Sequence, residues 1–156
     1  MLISFRLSST ICGIISRPLR TGVELTMKIL FDSRTGNVKR FTEKLSLHCE
    51  QITKDTEVDE PFILITYTTG FGDLSAKTRH FLENNHGWLK GVAASGNRIW
   101  GDRFARSAHT IADTYGVPII HTFELSGTSN DVHTFTQGVY SIDNINTTSS
   151  TKVGSA

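Results

Sequence analysis

The amino-acid sequence predicts a single α/β domain, a parallel sheet covered by helices on both faces. Compact apolar or β-branched runs at residues 27–31 (MKILF), 61–67 (PFILITY), 91–95 (GVAAS) and 117–125 (VPIIHTFEL) have the near-continuous hydrophobicity of strands buried on both sides. Between them the apolar residues recur at helical spacing. Strands that alternate with helices are joined by right-handed crossovers, and the sheet they build is parallel.

Element by element, the first strand is followed by a helix whose buried face is Val38, Phe41 and Leu45. Residues 47–53 read as a short edge strand, and 61–67 as the central one. Residues 76–85, with Phe81 and Leu82 as the apolar pair, form a weaker helix. After the fourth strand, Phe104, Ala108, Ile111 and Tyr115 share one helical face; after the fifth, Val132, Phe135, Val139 and Ile142 share another. The domain is expected to span residues 27–143, and 144–156 (NINTTSSTKVGSA) to be a mobile polar tail lacking the apolar content to pack. Residues 1–26 form an N-terminal extension with Arg6, Arg17 and Arg20, no acid before Glu24 and only a brief apolar patch at 11–15. That bias suits a transit-like segment better than a secretory signal. The simpler reading is that Met27, where the first strand begins, is the true start, and Val23-Glu24 is compatible with a purine-rich GTG-GAG ribosome-binding site.

Composition narrows the function classes. With 156 residues, 38% hydrophobic and 20% charged, the chain buries one ordinary core. A formal charge of +1 and a pI near 7.9 lack the basic excess of nucleic-acid binders and the acidity of many electron carriers. Cys12 and Cys49 supply no disulfide framework, CxxC pair or zinc site, which favours a reducing, cytoplasmic setting. No apolar run is long enough to span a bilayer. The six histidines are dispersed, and no His/carboxylate spacing suggests a metal site, so none is assigned.

The polar turns all fall at the carboxyl ends of the strands, where open parallel sheets bind ligands. The first, SRTGNV at 33–38, opens a helix, whose unpaired N–H groups and positive dipole end suit a phosphate. Ser33, Thr35 and Asn37 offer hydroxyl or amide protons, and Gly36 permits close approach. Arg34 and Val38 complete this loop. It has neither the lysine of a triphosphate loop nor GxGxxG, so a monophosphate remains, with an ordinary Thr-Gly turn and Asn cap as the alternative. In the second loop, Thr68, Thr69, Gly70, Phe71 and Gly72 set an aromatic ring between two glycines, suited to a planar ligand. The third contributes Ser95, Gly96, Asn97, Trp100 and Gly101, with Trp100 as a stacking wall and the Asn97 amide for the polar edge of a heterocycle. Leu125, Ser126 and Gly127 form the fourth. Phosphate donors at one end and aromatics with amides at the other describe flavin mononucleotide, FMN.

Taken together, DSRTGNVKRF, LITYTTGFGDL, GVAASGNRIWGDRFA and FELSGTSNDV, in that order, closely resemble the NrdI family, flavodoxin-like activators of class Ib ribonucleotide reductase. The resemblance implies a flavodoxin-like three-layer sandwich with a five-stranded parallel sheet of order 2-1-3-4-5, and bound FMN. It also implies a function: reduced flavin reacts with O2, and the resulting oxidant, taken as superoxide, helps assemble the dimanganese-tyrosyl radical cofactor of the reductase small subunit. Partners so implied are that subunit, O2 and a separate electron donor that reduces the flavin. The flavin carries the chemistry, so no catalytic side chain is assigned. A peptide flip at Gly70, Phe71 and Gly72 is expected to supply an acceptor for the proton on flavin N5, with Arg34, Arg98, Arg103 and Arg106 lending positive charge. A general flavodoxin-type electron carrier and a phosphate or nucleotide sensor without redox turnover are the alternatives.

Overall fold

A computed structural model describes residues 25–70 and 72–153. The chain runs β1 (Lys28–Phe31), α1 (Asn37–Lys44), β2 (Cys49–Gln51), β3 (Phe62–Tyr67), α2 (Ala76–Asn85), a 3-10 turn (His86–Trp88), β4 (Leu89–Gly96), a 3-10 segment (Arg98–Arg103), α3 (Arg106–Tyr115), β5 (Ile119–Glu124) and α4 (Ser129–Val153). All neighbouring strands are parallel, in the order β2-β1-β3-β4-β5. The expected flavodoxin-like order is therefore observed.

Strand side chains alternate between the two faces, so one strand feeds two cores. Ile29, Phe31, Ile63 and Ile65 pack beneath α1 and α4 with Val38, Phe41, Phe135 and Val139. Leu30, Phe62, Leu64 and Val92 point the other way, onto Phe81 and Leu82 of α2 and Ala108 and Ile111 of α3. Each large side chain fully buried in this way contributes on the order of 1.5–3 kcal/mol. Phe41 is an anchor of the first core: it stacks on Phe123 at 3.9 Å between centroids and meets Phe135 edge-on at 5.6 Å.

At the chain ends the structure departs from the sequence reading. The expected extension lies mostly outside the described residues, but packing begins before Met27. Leu25 sits against the first core, and the Thr26 backbone N–H and hydroxyl both donate to Asp143 Oδ1, at 3.0 and 2.5 Å. At the other end, residues expected to form a mobile tail from Asn144 onward belong to α4, which continues to Val153. Packing of Phe135 and Val139 carries the cost of nucleating the helix, so its polar continuation needs no core of its own. Thr147 and Thr148 bond back to the carbonyls of Asp143 and Asn144, at 2.9 and 2.8 Å.

Candidate functional site

Four strand ends open into one cavity of about 310 Å³. The first loop contributes Ser33, Arg34, Thr35, Asn37 and Val38; the second Thr68, Thr69 and Gly70; the third Ser95, Gly96, Asn97 and Trp100; the fourth Leu125. Tyr67 also lines it, a residue absent from the expected set. The signal for Tyr67 was present: two residues beyond Ile65 in the same strand, it shares that residue's face and emerges where the core ends.

The first loop keeps its donors available. The N-cap of α1 is Gly36, in the left-handed region at φ 88°, so the N-cap residue brings no side chain to the helix start, and no acid stands in its first turn. Ser33 Oγ accepts from the Lys39 N–H at 3.2 Å, which leaves its own proton to donate. Asn37 Oδ1 accepts from Arg40 at 3.0 Å, which leaves the amide N–H groups. These are donors of the kind a phosphate ester takes.

Several expected donors prove to be committed elsewhere. The Thr68 hydroxyl pairs with Ser107 Oγ at 2.8 Å and accepts from the Ser107 N–H at 3.2 Å, tying the second loop to α3. Ser95 Oγ donates to the Leu125 carbonyl at 2.6 Å, and Thr69 Oγ1 to the Asp73 carbonyl at 3.0 Å. Asn97 accepts from the Ile99 N–H at 3.0 Å and so caps the 3-10 segment, leaving its N–H groups for a ligand. Trp100 and Leu125 stay partly exposed at the rim, beside Ile99, which is 86% exposed.

Five expected residues do not line the cavity. Gly36 serves it through the backbone turn just described. Gly72 is turned onto α3, where an added Cβ would lie 2.9 Å from Arg106 Cδ. Gly101 interrupts the 3-10 segment at φ 54°. Gly127 packs against the Phe41 ring, and the carbonyls of Ser126 and Gly127 accept from Lys44 Nζ at 3.0 and 2.7 Å, so that turn faces α1. Phe71 lies outside the described residues.

The charged rim is partly neutralised. Arg98 lies 3.6 Å from Glu124 and over the Phe104 ring at 4.7 Å, so it is anchored on the protein. His121 pairs with Asp131 at 2.7 Å, away from the cavity-lining residues. Burial pushes the Cys49 thiol up to about 12, which disfavours its thiolate. Among the described residues no group of three or more His, Cys, Asp or Glu side chains is arranged to hold a metal, and no helix is long and apolar enough to cross a membrane.

The family model described as NrdI Flavodoxin like matches residues 29–137. Protein NrdI of Bacillus licheniformis is 54% identical over 114 residues, covering 72% of this chain and 87% of that protein. The chain belongs to the NrdI flavodoxin-like family. Solved structures similar to this NrdI-family chain include a short-chain flavodoxin associated with a non-canonical PDU bacterial microcompartment, at TM-score 0.59 and 17% identity, covering 76% of this chain and 97% of that one. A flavodoxin of Streptococcus pneumonia TIGR4 matches at TM-score 0.54 and 23% identity, over 74% and 96%. These two likenesses concern the fold alone. Membership of the NrdI family implies a flavin cofactor and a flavodoxin-type activator associated with ribonucleotide reductase.

Proposed function

We propose that this chain binds FMN across its four loops and, in the cytoplasm, supplies superoxide to the dimanganese small subunit of a class Ib ribonucleotide reductase. The observation that carries the reading is the convergence of a helix start without a carboxylate and an aromatic wall on one cavity. The donor set fits the group: hydroxyls, amides and backbone N–H groups at one end suit a phosphate, and Tyr67, Trp100 and Leu125 suit a planar ring. When bound, a flavin would supply one-electron redox chemistry toward O2, with its electrons coming from a separate donor.

The protein's own residues do the rest. Ser33, Thr35 and the first turn of α1 seat the phosphate and so fix the depth of the ring. Trp100 and Leu125 exclude water from one side of it. A carbonyl in the second loop would accept a hydrogen bond from the N5–H of the reduced ring. The turn is pinned where Thr69 N–H meets the Asp73 carbonyl at 2.9 Å and Gly72 N–H meets the Thr69 carbonyl at 2.7 Å. Gly70, beside which an added Cβ would meet nothing within 4 Å, is the position with room for a peptide to rotate.

Titration of the apoprotein with FMN, followed by quenching of flavin fluorescence, tests the first half. The second is tested by mixing reduced, flavin-loaded protein with the manganese-loaded reductase subunit and O2, with tyrosyl radical read by electron paramagnetic resonance. Radical formation is expected. Its absence from a fully loaded sample moves the assignment to a general electron carrier, and a protein that takes up no FMN moves it to a phosphate or nucleotide sensor.

A further inference from the structure

Directly beneath the first loop lies a carboxylate that the reading above leaves without a role. Asp32 is fully buried at the end of β1, one residue before Ser33. Burying a charge is costly unless it is met by donors, and here every donor comes from one place. Ser75 Oγ donates to its Oδ2 at 2.6 Å and Thr78 Oγ1 at 2.9 Å. The Lys77 ammonium stands 3.0 Å from Oδ1, as an ion contact rather than a directed hydrogen bond. Ser75 is the N-cap of α2, accepting from the Thr78 N–H at 3.0 Å, and Thr78 Oγ1 is also 3.0 Å from Thr66 Oγ1 in β3.

That geometry links two loops. Asp32 leads into the phosphate cradle, and Ser75 follows the Thr69–Asp73 turn by two residues. We propose that Asp32 is a positioning residue, whose carboxylate locks the first turn of α2, and with it the Thr69–Asp73 turn, to the phosphate cradle at 33–38. This rests on the FMN reading. Its consequence is energetic coupling: a ligand ordering the cradle pre-orders the ring site, so each half of the cofactor binds better in the presence of the other.

Riboflavin and inorganic phosphate fill the two halves separately, which makes the coupling measurable. Riboflavin binding to the apoprotein is titrated at rising phosphate, and FMN binding is titrated alone, for wild type and Asp32→Asn. In wild type, phosphate is expected to tighten riboflavin binding several-fold. In Asp32→Asn that enhancement falls to near one, and the affinity ratio of FMN to riboflavin drops by the same several-fold factor, while riboflavin alone weakens less than threefold. Thr78→Val, which removes one donor and keeps the volume, shows the same loss in smaller degree and serves if Asp32→Asn does not fold. A merely structural role would weaken both flavins equally and leave the ratio intact. That result, or a wild type in which phosphate leaves riboflavin binding unchanged, overturns the proposal. A wild type that binds neither flavin overturns the FMN reading itself, and this proposal with it.

Discussion

The first and fourth loops carry similar residues, SRTGN at 33–37 and SGTSN at 126–130, and each runs into a helix at the same edge of the sheet. They end in opposite states. The first has no carboxylate at its helix start, where Ser33 Oγ alone meets the Lys39 N–H, and lines the cavity. In the fourth, Asp131 Oδ2 accepts from the Thr128 N–H at 2.7 Å and from its hydroxyl at 2.9 Å, and Thr128 Oγ1 accepts from the Asp131 N–H at 3.3 Å. A reciprocal cap of this kind satisfies the helix start from within. The glycines divide likewise: an added Cβ at Gly36 meets only the end of the Arg40 side chain, from 3.5 Å, whereas at Gly127 it meets the Phe41 ring at 2.7 Å. The two loops thus differ in that only the fourth meets its helix start with a carboxylate of its own.

If that contrast is right, substitutions in the two loops separate stability from binding. Gly127→Ala combines a left-handed backbone, φ 69°, with overpacking against a buried ring, and is expected to cost roughly 3 kcal/mol in urea denaturation. The protein that remains folded should still bind FMN. An equal stability in mutant and wild type would show that the turn does not bear on the core.

Asp131→Ala removes the reciprocal cap, at about 1 kcal/mol at neutral pH. Burial pushes the Asp131 carboxyl up, but the Thr128 N–H, the His121 ring and the Thr128 hydroxyl outweigh it and hold it below the ordinary 3.8. A carboxyl lowered by folding stabilises above its unfolded value and loses that contribution as the pH falls through the folded one. Wild-type and variant stabilities, well separated at pH 6, should therefore converge in acid. Parallel curves would locate the effect in packing rather than in the carboxylate.

Gly36→Ala sharpens the contrast from the other side. The left-handed φ costs about 1 kcal/mol, with no packing penalty to add, while FMN affinity should fall by tenfold or more as the cradle backbone shifts. Smallest of all is the effect of Thr35→Ala on the fold, within about 0.5 kcal/mol. One donor to a charged group is lost, worth about 1.5 kcal/mol, so FMN binding should weaken roughly tenfold in fluorescence titration. Should Thr35→Ala unfold the protein and leave binding alone, the roles of the two loops would be reversed.

The elements were legible because their signals are local. MKILF and PFILITY are too apolar for any exposed face, and Val38 with Phe41 marks a helix wherever it packs; both runs lie in the observed strands or at their ends. The polar tail was misread for the complementary reason, since helix in 144–153 depends on a nucleus packed elsewhere, at Phe135 and Val139. Side-chain commitments were illegible too. Nothing around Thr68 or Ser95 announces that Ser107 and the Leu125 carbonyl, distant in the chain, claim those hydroxyls.

Sequence alone determined the layered α/β plan, the apolar face of each helix and the edge of the sheet where polar loops gather, because hydrophobic period and turn chemistry act over a few residues. The tertiary structure alone decided that the fourth loop meets its helix start with Asp131 and packs Gly127 on Phe41, that the first does neither, and that Asp32 is buried among the donors of α2. Those outcomes depend on which groups meet across the sheet, and a hydrogen bond or a ring contact between distant residues leaves no mark in the order of either one's neighbours.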